Sequence, residues 1–508
     1  MGTGSYSEVR DLSRLPICPI GIVKINKIAI IYTVIGLTFF SYALVRAIKV
    51  GVTYDEVVTL QEFVPQSLHS ILFKASPIAN NHMLNTVVIK FLFLSGNESL
   101  FWARVPGLVS LLMYIYFSYR LLLNRLPHVY GVGCFALLIC NPFMLEFFSL
   151  ARGYGMSFAF MMGALYFASQ NIEDFSVSSL YKSLGFGAFS VLSIFSMVYF
   201  ELALALTLNI AVLLKKDRRT LKQSLLHSFL VGIILLLVIA VPIFRLEKHR
   251  GLSYGGECGV YRDTLMSLAR YSLGDFKPSS LAPLLLNSFL LISVAGIGFS
   301  FFRKWRAPMS GLFVGVTILS VSLIILAHHL AGVKYPIDRV GLFLYPLMIL
   351  SLCFCLYSLG RWVSMSLLAV LVSAFFMNFI SRANFYKTTL WDFDAHTTQI
   401  LEMINAKGQA EGQVMALEIE SVFEKSVSYY IDRNRYNFIR VLCNHGDAKG
   451  RESPRYFLYF SQNVFPDADF VKHDRDRLPH GLSEGDIFIE YPDEKIIIFG
   501  ELRGSLNY

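Results

Sequence analysis

The sequence predicts a polytopic α-helical membrane protein with a soluble α/β domain at its C-terminus. Two observations support this fold class. The mean hydropathy is +0.53 and only 16% of the 508 residues are charged, whereas soluble globular chains carry about 25% charged residues. The apolar runs are confined to residues 28–381. We therefore predict a cytoplasmic segment at 1–27, a transmembrane domain at 28–381 and an extracytoplasmic α/β domain at 382–508.

Apolar runs set the predicted number of transmembrane helices at about eleven. A helix needs about 20 mostly apolar residues to cross the bilayer. The stretch 183–214 is too long for one span, so we divide it near Tyr199. A shorter apolar piece, His82–Leu94, predicts an interfacial or re-entrant helix. The predicted spans lie at 28–48, 101–123, 128–149, 154–169, 183–198, 199–214, 225–244, 281–302, 309–330, 341–359 and 362–381.

Lysine and arginine residues in the short loops set the predicted orientation. The clusters KKDRR at 215–219 and RKWR at 303–306 fall on the same side as the basic N-terminus. That side is the cytoplasm, so the C-terminal domain lies outside. The net charge of +9 is then a topology signal, and nucleic acid is not an expected partner. The outer loop 245–280 is also basic, either because it binds an anionic ligand or because it lies beside anionic lipid.

Four polar motifs occur at the predicted outer ends of the early helices. The first is the YDE sequence at 54–56, just after the first span. Acidic residues at this depth are functional candidates, because they are costly unless solvated or paired. Solvated loop acids are the alternative for an isolated pair. This pair is followed by NNHMLN at 80–85, ARVPGL at 103–108 and SLARGYGMS at 149–157, which favours a functional cluster.

In these motifs the chain resembles the membrane glycosyltransferases of GT-C fold, and within them the bacterial relatives of protein O-mannosyltransferases and of aminoarabinose lipid A transferases. The resemblance covers roughly residues 26–200 in sequence and the rest by layout. It implies an inverting glycosyltransferase of the cell inner membrane that works on its outer, periplasmic face and builds a cell-envelope glycan such as lipopolysaccharide. The implied donor is a polyprenyl-phosphate sugar. The acceptor is a glycan, a glycolipid or a protein hydroxyl.

Carried onto this chain, the resemblance assigns roles to seven residues. Asp55 is the implied general base, which takes the proton of the acceptor hydroxyl as that hydroxyl attacks the sugar. Glu56 orients Asp55, binds the acceptor or faces water, and these three roles stay open. The implied substrate-binding residues are Asn81, His82, Arg152, Tyr154 and Arg339.

Arginine is the expected partner of the phosphate leaving group, because its guanidinium binds phosphate in a planar, bidentate manner. For Arg152 the alternative is an arginine that snorkels from a helix end to the interface. Arg339 departs from the family pattern, since many relatives have Arg-Tyr where this chain has Arg339-Val340, and Asp338 beside it is a local counter-charge. Arg104 is implied to form a buried structural ion pair.

No cofactor and no metal ion is predicted. Histidine is a common metal ligand, but no HxH, HExxH or carboxylate cluster surrounds His82 or the pair His328-His329. A divalent cation stays open, since only some members of the family bind one. Two other functions also stay open. One is an O-antigen polymerase or ligase, and the other is a transporter or lipid flippase, although the sequence shows no duplicated halves.

Residues 382–508 alternate between helical and strand-like patterns, which favours a three-layer α/β arrangement. The role expected for this domain is acceptor recognition, a lid over the membrane site, or a structural appendage. Helices are predicted at 397–406 and 422–432, and strands at 413–419, 438–443, 456–460, 486–491 and 495–499.

Overall fold

A computed structural model of the chain describes most of the residues. The predicted segment up to residue 26, the predicted span 281–302 apart from residue 287, and the turn-rich break at 444–450 lie outside the described residues. The described residues are 27–73, 80–123, 125–215, 217–249, 251, 253–273, 287, 308–443, 456–460, 487–491 and 496–500.

Helices dominate the described part of the chain before residue 383. A π-helical turn, Val58–Phe63, continues the second helix, and another, Val260–Leu265, leads into the twelfth. The helices are α1 (Lys27–Lys49), α2 (Tyr54–Val57), α3 (Leu68–Phe73), α4 (Met83–Phe93), α5 (Leu100–Leu123), α6 (His128–Ile139), α7 (Pro142–Phe148), α8 (Gly153–Glu173), α9 (Val177–Ser193), α10 (Val198–Leu214), α11 (Arg218–Lys248), α12 (Met266–Leu273), α13 (Pro308–Ala331), α14 (Asp338–Gly341), α15 (Leu344–Tyr357) and α16 (Arg361–Arg382).

Six of the described helices are long and apolar enough to cross a membrane, namely α1, α5, α10 with the turn before it, α11, α13 and α16. The pair α6 and α7 makes a seventh if it is one bent span. The protein is thus a multi-pass membrane protein. Other predicted spans correspond to α8, which is almost wholly buried, and to the shorter helices α9 and α15. The count of eleven stays a prediction.

The bend between α6 and α7 measures 69°. It occurs at Asn141, whose side-chain oxygen accepts a hydrogen bond from the backbone N–H of Met144 at 3.1 Å and so caps α7. Pro142 occupies the first turn of α7, where its missing N–H removes no helical hydrogen bond. All seven residues of α7 are buried. The helix therefore runs inside the protein and delivers the segment 149–152 to the end of α5.

Close contact between α5 and the end of α7 depends on Gly107. A Cβ atom at this position would lie 2.6 Å from the carbonyl oxygen of Phe148. Real Cβ atoms do not come that close to backbone, so only glycine permits this approach. This contact helps to position Arg152, which follows Phe148 by four residues and bonds to the loop after α1.

Beyond the last helix of the membrane part, the described residues form a mixed five-stranded sheet in the order β2-β1-β3-β5-β4. Strands β2, β1 and β3 are parallel, whereas β5 is antiparallel to both β3 and β4. Each strand overlaps a strand-like run of the sequence. The elements are α17 (Thr397–Glu411), β1 (Met415–Ile419), α18 (Glu424–Asn434), β2 (Ile439–Cys443), β3 (Tyr456–Phe460), β4 (Ile487–Tyr491) and β5 (Ile496–Gly500).

The loop after α1 shares a hydrophobic core with this C-terminal region. Val52 and Val57 are fully buried in the same cluster as Leu401, Leu417 and Phe423. Burying an aliphatic side chain stabilises the folded state by about 1.5–3 kcal/mol. The loop and the C-terminal region are therefore one packing unit, although more than 300 residues separate them in the chain.

Candidate active site

Helix α2 presents two neighbouring carboxylates in different directions. Thr53 caps the helix, since its hydroxyl accepts the N–H of Glu56 at 3.4 Å and the Glu56 carboxylate accepts the N–H of Thr53 at 3.0 Å. This reciprocal arrangement is a capping box. Consecutive helical residues point about 100° apart, because a turn contains 3.6 residues. Asp55 and Glu56 therefore face different surroundings.

Glu56 points into the protein and binds Arg104. Its two oxygens accept hydrogen bonds from Nε and Nη2 of Arg104 at 2.8 and 2.7 Å, and a third from the backbone N–H of Ala151 at 2.7 Å. Burial raises the pKa of Glu56, but the charge and hydrogen bonds of Arg104 outweigh burial and lower the pKa overall. Glu56 is fully buried and does not line the cavity described below. These contacts favour a structural role for Glu56, whereas its predicted catalytic role stays a prediction. Arg104 forms a buried ion pair with Glu56.

Asp55 faces the other way and meets two arginines. One carboxylate oxygen lies 3.4 Å from Nη2 of Arg152 and 3.5 Å from Nη2 of Arg339. The second oxygen accepts a hydrogen bond from the side-chain amide of Asn80 at 3.3 Å. The Asp55 side chain is only 11% exposed. It is thus held in place by three groups that come from three different segments of the chain.

Both terminal nitrogens of Arg152 are bonded to the protein, whereas its Nε has no hydrogen-bond partner among the described residues. One terminal nitrogen donates to the carbonyl oxygen of Asp55 at 3.1 Å and to the hydroxyl of Thr59 at 2.9 Å. The other donates to the side-chain oxygen of Asn80. The residue is 1% exposed, so the predicted alternative of an arginine snorkelling to the interface does not hold. Its contacts fix the turn that carries Asp55.

Arg339 is held more loosely. Its guanidinium lies between two aromatic rings, 5.0 Å from the centroid of Tyr254 and 5.2 Å from that of Trp391. Its closest carboxylate contacts are 3.5 Å to Asp55 and 3.9 Å to Asp338. Nε has no hydrogen-bond partner among the described residues. Nε of Arg152 also lacks a partner among these residues, but both of its terminal nitrogens are bonded to the protein. Arg339 has only the long contacts given above and an 18% exposed side chain, so it is the more available of the two to a ligand.

Asp338 is the expected counter-charge of Arg339, and its carboxyl also contacts Tyr254. Burial raises the pKa of Asp338, although Arg339 and a hydrogen bond from the Tyr254 hydroxyl lower it in part. The main chain at Asp338 has a positive φ of 38°. The carboxyl of Asp338 thus serves three groups, namely the guanidinium of Arg339, the hydroxyl of Tyr254 and the backbone N–H at the start of α14.

His82 lies beside these arginines and is held neutral. Burial, followed by the charges of Arg152 and Arg339, lowers its pKa well below the ordinary value. Nδ1 accepts the backbone N–H of Gly153 at 2.8 Å, which leaves the ring proton on Nε2, 3.3 Å from Nη2 of Arg152. The ring packs edge-on against Tyr154 at 4.9 Å between centroids. Neutral histidine adds no charge to the site but offers one N–H.

A cavity of about 800 Å³ brings the predicted residues together. Asp55, Asn81, His82, Arg152, Tyr154 and Arg339 all line it, whereas Glu56 does not. Part of its wall is apolar. It comes from the C-terminal end of α9, the turn that follows, the start of α10 and the C-terminal part of α11. The residues of that part are Leu192, Ile194, Phe195, Val198, Tyr199 and Ile243.

Some lining residues were not predicted. Asn80, one position before the predicted Asn81, is the residue that bonds to Asp55, whereas the Asn81 amide binds the carbonyl oxygen of Ile71 at 3.0 Å. Tyr254 lies in the basic loop that was predicted to be on the outer side, and the pairing of Gly256 with Tyr335 holds this loop at the site. This loop was singled out in the sequence for its basic residues, but the structure also brings the aromatic Tyr254 to the cavity.

Lys425 on α18 also lines the cavity and forms an ion pair with Glu62 at 2.9 Å. Nothing in the local sequence indicates that the C-terminal region reaches the site. Among the residues that the structure describes, no group of three or more histidine, cysteine, aspartate or glutamate side chains is placed to hold a metal ion.

No family model matches the chain, and no curated protein matches it in sequence. Two solved structures are similar to it. One is the arabinosyltransferase EmbB from Mycobacterium smegmatis, at 14% identity and a TM-score of 0.44, over 65% of this chain and 30% of that one. The other is ArnT from Cupriavidus metallidurans bound to undecaprenyl phosphate, at 10% identity and a TM-score of 0.41, over 93% and 98% of the two chains.

The chain thus spans less than a third of the length of EmbB. Both TM-scores are below 0.5 and both identities are below 25%, so these similarities do not decide the family of the chain. Similarity at this level does not establish an activity. The chemistry has to be inferred from the residues around the cavity.

Proposed function

We propose that the chain is an inverting glycosyltransferase that moves a sugar from a polyprenyl-phosphate donor to an acceptor hydroxyl at the outer face of the membrane. The observation that carries the proposal is the carboxylate of Asp55, which lines a large cavity within 3.5 Å of two arginines. The reaction needs a base that deprotonates the acceptor hydroxyl and cations that stabilise the departing phosphate. Asp55 and the two arginines supply these groups.

Asp55 is the base in this reaction. It takes the proton of the acceptor hydroxyl as the oxygen forms a bond to the anomeric carbon of the sugar. The bond from that carbon to the phosphate oxygen breaks, and its electron pair leaves with the polyprenyl phosphate. Attack and departure occur on opposite faces, so the anomeric configuration inverts. The amide of Asn80 holds one oxygen of Asp55 and leaves the other toward the arginines.

Arg339 is the primary phosphate ligand and Arg152 is the residue that orients the base. Arg152 donates to the protein through both terminal nitrogens and is 1% exposed. The carboxylate contacts of Arg339 are longer, at 3.5 and 3.9 Å, and its side chain is 18% exposed. Since a guanidinium binds phosphate best through two parallel N–H groups, the less occupied arginine fits that role. The Nε2–H of neutral His82 is a further donor.

The apolar part of the wall suits the prenyl chain of the donor. It is built from the ends of α9, α10 and α11, and α10 and α11 are among the helices able to cross a membrane. Apolar surface removed from water contributes about 25 cal/mol per Å², so lipid binding would not rely on the phosphate alone. The sugar then lies between this wall and Asp55.

Transfer from a panel of radiolabelled polyprenyl-phosphate sugars tests the proposal. Membranes with wild type, Asp55→Asn or Glu62→Gln at matched expression are incubated with each donor, and label is followed into lipid, glycan and protein fractions. We expect transfer with wild type, and a loss of about 10²–10⁴-fold with Asp55→Asn, which is the usual contribution of a general base. Glu62 also lines the cavity but is partly exposed, so Glu62→Gln is the matched control.

Binding of polyprenyl phosphate to Asp55→Asn should persist, because Arg339 and the apolar wall are untouched. Transfer by Asp55→Asn at the wild-type rate would remove Asp55 as the base. If no donor yields product but lipid or solute crosses vesicles only when the protein is present, the protein is a transporter and the proposal is wrong.

A further inference from the structure

We propose that Asp394, in the segment between the membrane part and the C-terminal sheet, is a positioning residue that sets the start of α2 and thereby the place of Asp55. This rests on the proposed function, since it assigns a second residue to the same reaction. It also gives the C-terminal region a part in the chemistry.

The contact is direct and buried. One carboxyl oxygen of Asp394 accepts the backbone N–H of Tyr54 at 2.8 Å. Tyr54 is the first residue of α2 and immediately precedes Asp55. Asp394 is 3% exposed, and its second oxygen has no hydrogen-bond partner among the described residues. Because the first N–H groups of a helix lack partners inside the helix, an oxygen at this point holds the helix start in place.

The same loop is held at a second point by the same region. The hydroxyl of Tyr430 on α18 accepts the backbone N–H of Val52 at 2.7 Å. A Cβ atom at Gly51 would lie 3.1 Å from that hydroxyl, so the loop passes close to the ring. Since Val52 and Val57 belong to the C-terminal core, both ends of the segment that carries Asp55 are fastened to this region.

The segment around Asp394 also touches other parts of the site. Trp391 lies under the guanidinium of Arg339, with its ring centroid 5.2 Å away. The backbone N–H and hydroxyl of Thr389 donate to Glu146 on α7 at 2.9 and 2.8 Å. Within six residues, the segment 389–394 contacts α7, Arg339 and α2. It therefore helps to fix the positions of these elements relative to one another.

Asp394 has acidic rather than basic neighbours. The groups that face it are the carboxylates of Asp55 and Glu56, the backbone of Tyr54, the hydroxyl of Ser426 and the phenol of Tyr430. No ion pair to Asp394 is found in the part of the chain that the structure describes. The pKa of Asp394 is raised to about 8, chiefly by burial; hydrogen bonds from Ser426 and Tyr54 offset part of the rise, and the charges of Glu56 and Asp55 add to it.

Asp394 therefore holds Tyr54 as a neutral carboxyl at pH 7. Ionisation above pH 8 places an uncompensated buried charge next to Asp55 and Glu56, which is unfavourable and loosens the segment. Asparagine has the shape of the neutral acid, keeps a carbonyl oxygen for the Tyr54 N–H and does not titrate. Asp394→Asn thus separates the hydrogen bond from the charge, and Asp394→Ala removes both.

The experiment measures the transfer reaction of the full-length protein between pH 6 and 9.5, for wild type, Asp394→Asn, Asp394→Ala and the control Asp432→Asn. Asp432 is an exposed residue of α18. Wild type and Asp432→Asn should lose activity as the pH rises through about 8, and Asp394→Asn should not. At pH 7 Asp394→Asn should stay close to the wild-type kcat.

Asp394→Ala should lose about tenfold to a hundredfold in kcat with little change in KM for the donor, because a misplaced base slows the chemical step. If Asp394→Ala does not fold, the pH profile of Asp394→Asn alone decides. An alkaline loss in Asp394→Asn identical to wild type, or a wild-type kcat in folded Asp394→Ala, would overturn the inference. Asp55→Asn measured alongside keeps the two proposals apart, since its activity tests the base and not the positioning residue.

Discussion

Replacing Glu56 with glutamine changes the side chain very little, but it should destabilise the protein strongly. Glu56→Gln keeps the shape of the side chain but removes the charge that neutralises Arg104, and both partners are fully buried. It also replaces one of the two acceptor oxygens with an NH2 group, which donates and cannot accept. Removing one partner of a buried ion pair typically costs about 3–5 kcal/mol, because the remaining charge is left uncompensated.

The matched control is Glu62→Gln, six residues further on. Glu62 pairs with Lys425 at 2.9 Å, but both side chains are about one-third exposed. Exposed pairs contribute about 0–1 kcal/mol, so this variant should melt close to wild type. A double variant, Glu56→Gln with Arg104→Met, should lose less stability than the sum of the two single changes, because the single changes share one interaction.

Thermal unfolding in detergent, followed with a thiol-reactive dye, measures these differences. Cys134, Cys140, Cys353 and Cys355 are buried and report unfolding of the membrane part, whereas Cys258 is exposed and gives a constant background. Glu56→Gln should lower the melting temperature by several degrees relative to Glu62→Gln. Equal melting of the two variants, or additive losses in the double variant, would refute the interpretation that Glu56 neutralises Arg104.

Three further outcomes are expected. Arg339→Lys keeps the charge but loses the planar fork and the stacking on Tyr254 and Trp391, so the Kd for polyprenyl phosphate should rise about tenfold, equivalent to 1.4 kcal/mol. The folded state holds His82 neutral, so the wild type should lose stability as the pH falls below about 6.5, where the unfolded chain binds a proton; melting of His82→Gln between pH 5 and 8 should show less of this loss. Gly107→Ala should destabilise the protein, since its new Cβ would meet the Phe148 carbonyl, whereas Gly185→Ala on α9, with no atom within 4 Å, should be neutral or stabilising by up to about 1 kcal/mol in the same melting assay.

Local sequence patterns were sufficient for some parts of the site. Thr53 and Glu56 have the spacing of a capping box, which is a signal that a short helix starts there. The YDE motif after an apolar run pointed to Asp55, and the structure places that residue in the cavity. What the motif could not show is which way each acid points, because the direction of Glu56 depends on Arg104, 48 residues away.

Contacts across long stretches of chain account for the residues that were missed. Asp394 and Lys425 reach the loop after α1 from more than 300 residues away, and no periodicity encodes that pairing. The outer loop 245–280 was singled out for its positive charge, yet it contributes the ring of Tyr254 to the stack on Arg339. The positive charge of this loop therefore did not indicate which of its side chains enters the site.

The break at Asn141 has a consequence for how the protein is made. Neither α6, with 12 residues, nor α7, with 7, is long enough to cross a bilayer alone, since about 20 residues are needed. Backbone groups freed at the bend are not tolerated in contact with lipid tails and need a protein shell. We therefore expect this segment to stay at the translocon during biosynthesis until α8 has been synthesised and can pack against it together with α5. A chain truncated before residue 153 should be retained there or degraded, and Arg152 would join Asp55 only in chains that have passed that step.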